Sequence, residues 1–324
     1  MRENKIAYAI KHKDEDIRAK SRSGGVFTAL SDKALDKGGV IYGCALDESF
    51  LAVHKRADSK PARDAFRGSK YIQSRMEGCF AEAEADLKSG RTVLFSGTPC
   101  QIDGLNFYLK EKNIDTEKLL TIDILCHGVP SPAVWKRYID WKSGSSKIVN
   151  VDFRDKGRFG WADHKETLYY EDSVWSGEEF KTLFYAHYLL RPSCFECHYK
   201  STNRISDITI GDYWHINELD ASFNDDKGVS LVLANTEKGK AALKECCEDL
   251  LIKEFPLINS MQKALEENYP RTKDYEQFWA DYKVMELGEL IEKHTAPPKK
   301  TKKTIIVNFI LNGIRRVLKL VKKK

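Results

Sequence analysis

No stretch of this chain reaches the roughly 18 consecutive apolar residues that a membrane-spanning helix needs, so a bundle of spanning helices is excluded. The N-terminal MRENKIAYAIKHKDED is charged and has no long apolar core, which speaks against a secretory signal. The expectation is a cytoplasmic protein whose thiols stay reduced. The G-x-G-x-x-G, Walker A and H-E-x-x-H patterns are all missing, and with them the usual signatures of a dinucleotide fold, a P-loop and a zinc protease. Acid is missing from Lys299–Lys324, which holds ten Lys or Arg and no Asp or Glu. The formal net charge of +5 therefore comes from the tail; the rest carries 43 basic against 48 acidic residues, a net of −5. A nucleic-acid-binding protein would need a basic patch on its folded body, so no nucleic-acid partner is expected.

What is present suits a globular protein with a real core. Apolar residues make up 42% and aromatics 11% of 324 residues, enough for one large domain or two ordinary ones. The first half alternates. Strand-like KIAYAI (5–10), VIYGCAL (40–46), LAVHKR (51–56), TVLFSG (92–97) and LLTIDILC (119–126) are interleaved with helix-like stretches at 24–39, 71–90, 101–112 and 133–142. This alternation predicts an α/β core with some parallel sheet. After about residue 145 the pattern mixes. Antiparallel strands are expected in KIVNVDFRD and KETLYYED, further strands in ISDITIGDYW and GVSLVLANT, and helices in EEFKTLFYAHYLL and EKGKAALKECCEDLL. The fold class is thus mixed α/β and α+β, a sheet with flanking helices and a cysteine-bearing loop region. No internal repeat is evident, and TAPPKKTKK (295–303) reads as a linker.

Eight cysteines in a reducing compartment point to metal or redox chemistry before they point to disulfides. Cys100 follows a strand in SGTPCQ, and Cys126 ends the next one in DILCHGVPSP. Loops at the carboxyl ends of neighbouring parallel strands share one rim, where active sites sit. Cys194 and Cys197, the single C-x-x-C, lie on a later loop that can fold over that rim. Four such thiols suit an iron–sulfur cluster or zinc. Spacing alone leaves a cluster, a zinc clip, or buried cysteines with one chance pair all open. A thioredoxin-like pair fits less well, because Cys194 does not sit between a strand and a helix. Cys44 and Cys79 lie in apolar contexts and read as core residues. Adjacent Cys246 and Cys247 read as structural.

Two segments carry phosphate-binding chemistry. In KSRSGGVFTAL, Ser23, Gly24 and Gly25 precede an amphipathic helix whose amino end favours an anion, with Arg22 adding charge. On local grounds alone an ordinary Ser-capped helix start is favoured there. In FRGSKYIQS, Arg67, Ser69, Lys70 and Tyr71 offer two cations, a hydroxyl and a ring that can stack. A solvated turn is the alternative. His127, beside Cys126, is either a tuning residue or a structural loop histidine.

Taken in order, SRSGGVFTAL, GGVIYGCALDESF, FRGSKYIQS, LFSGTPCQIDGL, DILCHGVPSPAVW, FRDKGRFGW, RPSCFECHYK, SDITIGDYW and DDKGVSLVLANTEKGK resemble the coenzyme F420 hydrogenase/dehydrogenase beta-subunit family over about residues 5–240. The resemblance implies an iron–sulfur flavoprotein oxidoreductase. Electrons pass between a ferredoxin-like donor, a [4Fe-4S] cluster, a flavin (usually FAD) and an organic acceptor, either coenzyme F420 or a glycan-pathway substrate. On this reading Cys100, Cys126, Cys194 and Cys197 are the cluster ligands. Ser23, Gly24, Gly25, Ser69, Lys70 and Tyr71 contact the flavin. Residues 1–85 form a flavin-contacting segment, 86–250 the iron–sulfur and flavin domain, 251–294 a helical extension, and 295–324 a linker and tail helix. Many bacterial members begin with a ferredoxin-like segment holding two cluster motifs; here no cysteine precedes Cys44, so a separate donor is expected. Two other readings stand beside it. One is a zinc-binding, membrane-associated accessory protein of polysaccharide biosynthesis. The other is a sugar-modifying transferase.

The tail KKTKKTIIVNFILNGIRRVLKLVKKK (299–324) places Ile306, Ile310, Ile314, Val317 and Val321 near helical spacing among cations. It resembles an interfacial helix, with 301–324 lying on the anionic inner face of the membrane. A terminal helix packed on the body or on a partner is the alternative.

Overall fold

The computed structural model describes residues 5–144 and 146–296. The tail helix expected at 301–324 therefore lies outside the described residues. Eleven strands form among those described: β1 Ile6–His12, β2 Val40–Leu46, β3 Ala52–Ala57, β4 Val93–Gly97, β5 Leu119–Ile124, β6 Ile148–Asp152, β7 Glu166–Tyr170, β8 Val174–Gly177, β9 Ile208–Asp212, β10 Ser230–Ala234 and β11 Leu250–Pro256. Eight of them make one sheet in the order β11-β1-β10-β9-β5-β4-β2-β3, and β6-β7-β8 make a second, antiparallel sheet. The large sheet joins strands from 1–85 with strands from 86–250.

Pairing is parallel across β2-β4-β5-β9 and antiparallel outside that block. β4 and β5 are short apolar runs because helices cover both of their faces. On one face Ile41, Leu94, Ile122 and Ile208 meet Val26 and Leu30 of the helix Val26–Asp36 and Leu243 of the helix Glu237–Glu245. On the other, Val40, Tyr42, Val93 and Phe95 meet Cys79 and Ala83 of the helix Cys79–Lys88 and Ile102 and Leu105 of the helix Pro99–Glu111. Successive residues thus feed opposite cores, as the two-residue period of a strand requires. A third core surrounds fully buried Trp135. There the helix Pro132–Ser143 packs with Leu168 of the small sheet, Phe180, Phe184 and Phe278.

Two expected elements differ. The helix predicted over 71–90 forms only at Cys79–Lys88. Before it, Glu77 and Gly78 take positive φ (41° and 86°), and Arg75 bridges Val53, so this stretch runs along the sheet instead of coiling. The segment 251–294, expected as a helical extension, opens within β11, which pairs with β1 along its whole length. Its helices come later, at Tyr275–Tyr282 and Leu287–Thr295.

The antiparallel steps from β9 to β10 to β1 turn the chain twice. β1 therefore points the same way as β2, β4, β5 and β9. Their carboxyl ends, at His12, Leu46, Gly97, Ile124 and Asp212, share one rim. The SRSGG turn, Cys100 and Cys126 all follow strands that end there.

Candidate functional site

Three separate segments deliver the four thiols. Cys100 is the second residue of the helix Pro99–Glu111. Gln101 fixes that helix start, since its side-chain oxygen accepts from the Thr98 N–H at 2.9 Å. Cys100 is exposed, with Sγ 3.2 Å from Thr98 Oγ1. Cys126 lies just beyond β5. Cys194 and Cys197 belong to the 3₁₀ turn Pro192–Glu196 and its cap.

The turn is tied to the rim at several points. Pro130 bridges Leu190, and the Arg191 N–H donates to the Val129 carbonyl at 3.1 Å. A side-chain carbon added at Gly128 would meet Cys194 Cβ at 3.3 Å, so the Cys126 loop and the Cys194 turn are in contact. Past Cys197, Tyr199 donates its hydroxyl to Asp103 at 2.6 Å, on the helix that carries Cys100. Lys200 donates from Nζ to the Cys126 carbonyl. Arg204 pairs with Asp123 of β5 at 2.8 Å, the two side chains only 2% and 0% exposed.

Burial pushes the Cys126 thiol up to about 12; Lys200 opposes the rise, while the Cys194 and Cys100 thiols add to it. Cys194 is likewise raised by burial, with Cys197 and Cys100 contributing. The segments that carry the four thiols are thus tied to one another. The thiols are not closed around one ion: among the described residues no group of three or more His, Cys, Asp or Glu side chains could hold a metal ion. A single tetrahedral zinc would need sulfurs roughly 3.8 Å apart, from a Zn–S bond of about 2.3 Å. Four gathered thiols beside a lysine have the donor chemistry of a larger thiolate-bound group, an iron–sulfur cluster. Cys79 and Cys246 are buried in the two helix-covered cores, as expected of structural residues.

Arginines rather than glycine amides dominate the second group. Gly24 packs so tightly that a Cβ there would meet Ile10 O at 2.0 Å. Its N–H donates to Ser230 Oγ at 2.9 Å, and Ser23 Oγ donates to the Val229 carbonyl at 2.7 Å. These groups, expected to face a ligand, instead fasten the turn to β10. Gly25 caps the following helix without a side-chain hydrogen bond. Arg22 reaches Asp212 Oδ2 (3.4 Å) and the Trp161 carbonyl (2.7 Å), and among the described residues its buried Nη1 has no partner. Asp212 also accepts from Arg154 at 3.2 Å and from Trp161 Nε1 at 2.8 Å.

Ser69 and Lys70 line a cavity of about 450 Å³ with Lys20, Arg67 and Asp152. Arg67 Nε is likewise buried without a partner among the described residues. Burial lowers Lys70 to about 8, and its Nζ caps the Ala65 and Arg67 carbonyls. Tyr71 is not part of that lining. It packs among Phe153, His164 and Phe184, and its hydroxyl accepts from Arg154 at 3.4 Å. Lys20, two residues before Arg22, and Asp152, two before Arg154, line the same cavity as Arg67 and Lys70.

Aromatic side chains run between the basic group and the thiols. Tyr71 lies 4.8 Å from His164, whose Nδ1 is 3.0 Å from the Tyr185 hydroxyl, and Tyr185 meets the edge of His127 at 5.3 Å. His127 stacks on Tyr269 at 3.8 Å, and burial pushes it down to about 3, so the ring is neutral at physiological pH. Sequence reading missed Lys200, Tyr269, Tyr185, His164 and Arg154. Two signals existed: Lys200 follows Cys197 by three residues, and Arg154 lies within FRDKGRFGW.

A mixed α/β sheet thus carries these thiols and cations at its carboxyl rim. The chain belongs to the coenzyme F420 hydrogenase/dehydrogenase beta-subunit family: the model of that subunit's C terminus matches residues 90–259, just over half of the chain. It is thus an oxidoreductase of the hydrogenase/dehydrogenase beta-subunit type. A solved structure of the F420-reducing [NiFe] hydrogenase complex from Methanosarcina barkeri contains a similar chain, 18% identical, with a TM-score of 0.55 over 89% of this chain and 91% of that one. That likeness extends the shared fold to most of the N-terminal part.

Proposed function

We propose that this chain is an iron–sulfur flavoprotein that takes electrons from a ferredoxin-like donor and passes them to an organic acceptor of the F420 type or from a glycan pathway. The observation that carries the reading is that contacts tie the three segments bearing Cys100, Cys126, Cys194 and Cys197 to one another at one rim. These four residues would hold a [4Fe-4S] cluster. A flavin, FAD in this reading, would lie along the adjoining basic group, with Ser69 and Lys70 lining its cavity and Ser23–Gly25 shaping the turn beside it. Arg22 and Arg67 support this, because each keeps a buried N–H free for an anionic oxygen. When bound, cluster and flavin would supply the electron transfer; the protein would hold them in place. The similar chain comes from a hydrogenase complex, which supports a partner that delivers electrons.

Replacing Cys197 with Ser tests the ligand set. The variant should lose bound iron while Cys79→Ala keeps it; full iron in the Cys197 variant sinks the assignment. No helix among the described residues is long and apolar enough to cross a membrane. From sequence alone, we read 301–324 as a surface anchor on anionic lipid. Deleting it should release the protein from membrane fractions, and unchanged partitioning refutes the anchor.

A further inference from the structure

Lys200 carries a positive charge into the thiol group. Its Nζ bonds the Cys126 carbonyl and stands 4.6 Å from the centroid of the Tyr269 ring, which itself stacks on His127. Lys200 is half-buried there. Among the described residues it forms no ion pair with a carboxylate, whereas Arg204, four residues on, is paired with Asp123. An ammonium withdrawn from water without a counter-ion is unfavourable. Cysteines that bind metal do so as thiolates, so a loaded site brings negative charge to the place where this cation waits.

We infer that Lys200 is the counter-charge of the four-cysteine site and raises its reduction potential. This rests on the cluster reading above. Each electron that enters adds one negative charge to the site, and a fixed ammonium beside it favours the reduced form. Lys200 is thereby a tuning residue; the ligands are the cysteines.

The test compares wild type, Lys200→Met and Lys200→Arg, as full chains reconstituted anaerobically with iron and sulfide. Iron is quantified first. The one-electron midpoint is then titrated with dithionite and followed by electron paramagnetic resonance. At matched iron, the Met variant should be reduced with an equilibrium constant at least tenfold smaller, a fall of about 59 mV for a one-electron couple. The Arg variant, which keeps the charge, should stay close to wild type. Equal midpoints for wild type and the Met variant overturn the inference while leaving the cluster reading intact. Should the Met variant hold no iron, Lys200→Gln takes its place and the same two outcomes decide. A wild-type chain that takes up neither iron nor sulfide overturns both.

Discussion

Replacing Arg204 with Met strands a carboxylate inside the sheet. Arg204 donates to Asp123 at 2.8 Å, to the Tyr199 and Ser201 carbonyls at 2.7 and 3.3 Å, and to Thr209 Oγ1 at 3.2 Å. Asp123 is fully buried, and among the described residues its Oδ1 has no partner. Burial already raises the Asp123 carboxyl above its ordinary value despite the arginine. Removing one partner of a buried pair typically costs about 3–5 kcal/mol. Urea unfolding at pH 7, followed by tryptophan fluorescence, should show a loss in that range. The pH dependence has a definite sign. A carboxyl whose folded pKa lies above its unfolded value binds its proton more tightly when folded, so the deficit should shrink as pH falls. The double variant Arg204→Met/Asp123→Leu should recover at least half of the loss, since it removes the stranded group. A single-variant loss below about 1 kcal/mol, or one that Asp123→Leu leaves unrelieved, would refute the reasoning. The variant should also hold less iron, because the loop 199–204 ties the C-x-x-C turn to β5.

Glu166 offers a second stability test. Burial pushes it up from 4.5 to about 7, although Tyr138 and the Phe180 N–H both donate to its Oε1. The ionised form is penalised above pH 7 and the penalty vanishes below about 4.5, so Glu166→Gln should gain about 3 kcal/mol over wild type at pH 8 and nothing at pH 4. Parallel pH–stability curves for the two proteins would contradict this. Arg22→Ala removes one of the two guanidinium groups that keep a buried N–H without a partner among the described residues. Because a charged hydrogen bond is worth about 1.5–3 kcal/mol, FAD should bind roughly 10- to 150-fold more weakly by calorimetry. An unchanged Kd would exclude Arg22 from the flavin site.

The strands of the parallel block were legible because each is a short apolar run with turn residues at both ends. β11 was not, because LL (250–251) follows helical EKGKAALKE with only Cys246–Asp249 between them and no Gly or Pro to mark the break. Cys100 and Cys126 could be placed at one rim from chain order alone, since parallel neighbours put their exits side by side. Lys200, Tyr269 and Arg154 could not. Lys200 meets Cys126 from 74 residues away and Arg154 meets Tyr71 from 83. No local period records such meetings. Reading SRSGG as a phosphate cradle overlooked that Val229 and Ser230 would claim the Ser23 hydroxyl and the Gly24 amide, leaving one N–H of Arg22 without a partner among the described residues.

The most direct test of the central claim is the absorption spectrum of anaerobically purified protein, with iron, acid-labile sulfide and flavin measured on the same sample. The four-thiol site and the basic group beside it predict a broad iron–sulfur shoulder, flavin bands, and close to four iron and four sulfide per chain, as a [4Fe-4S] cluster requires. A colourless protein that carries zinc, and that takes up neither iron and sulfide nor FAD on reconstitution, would contradict it.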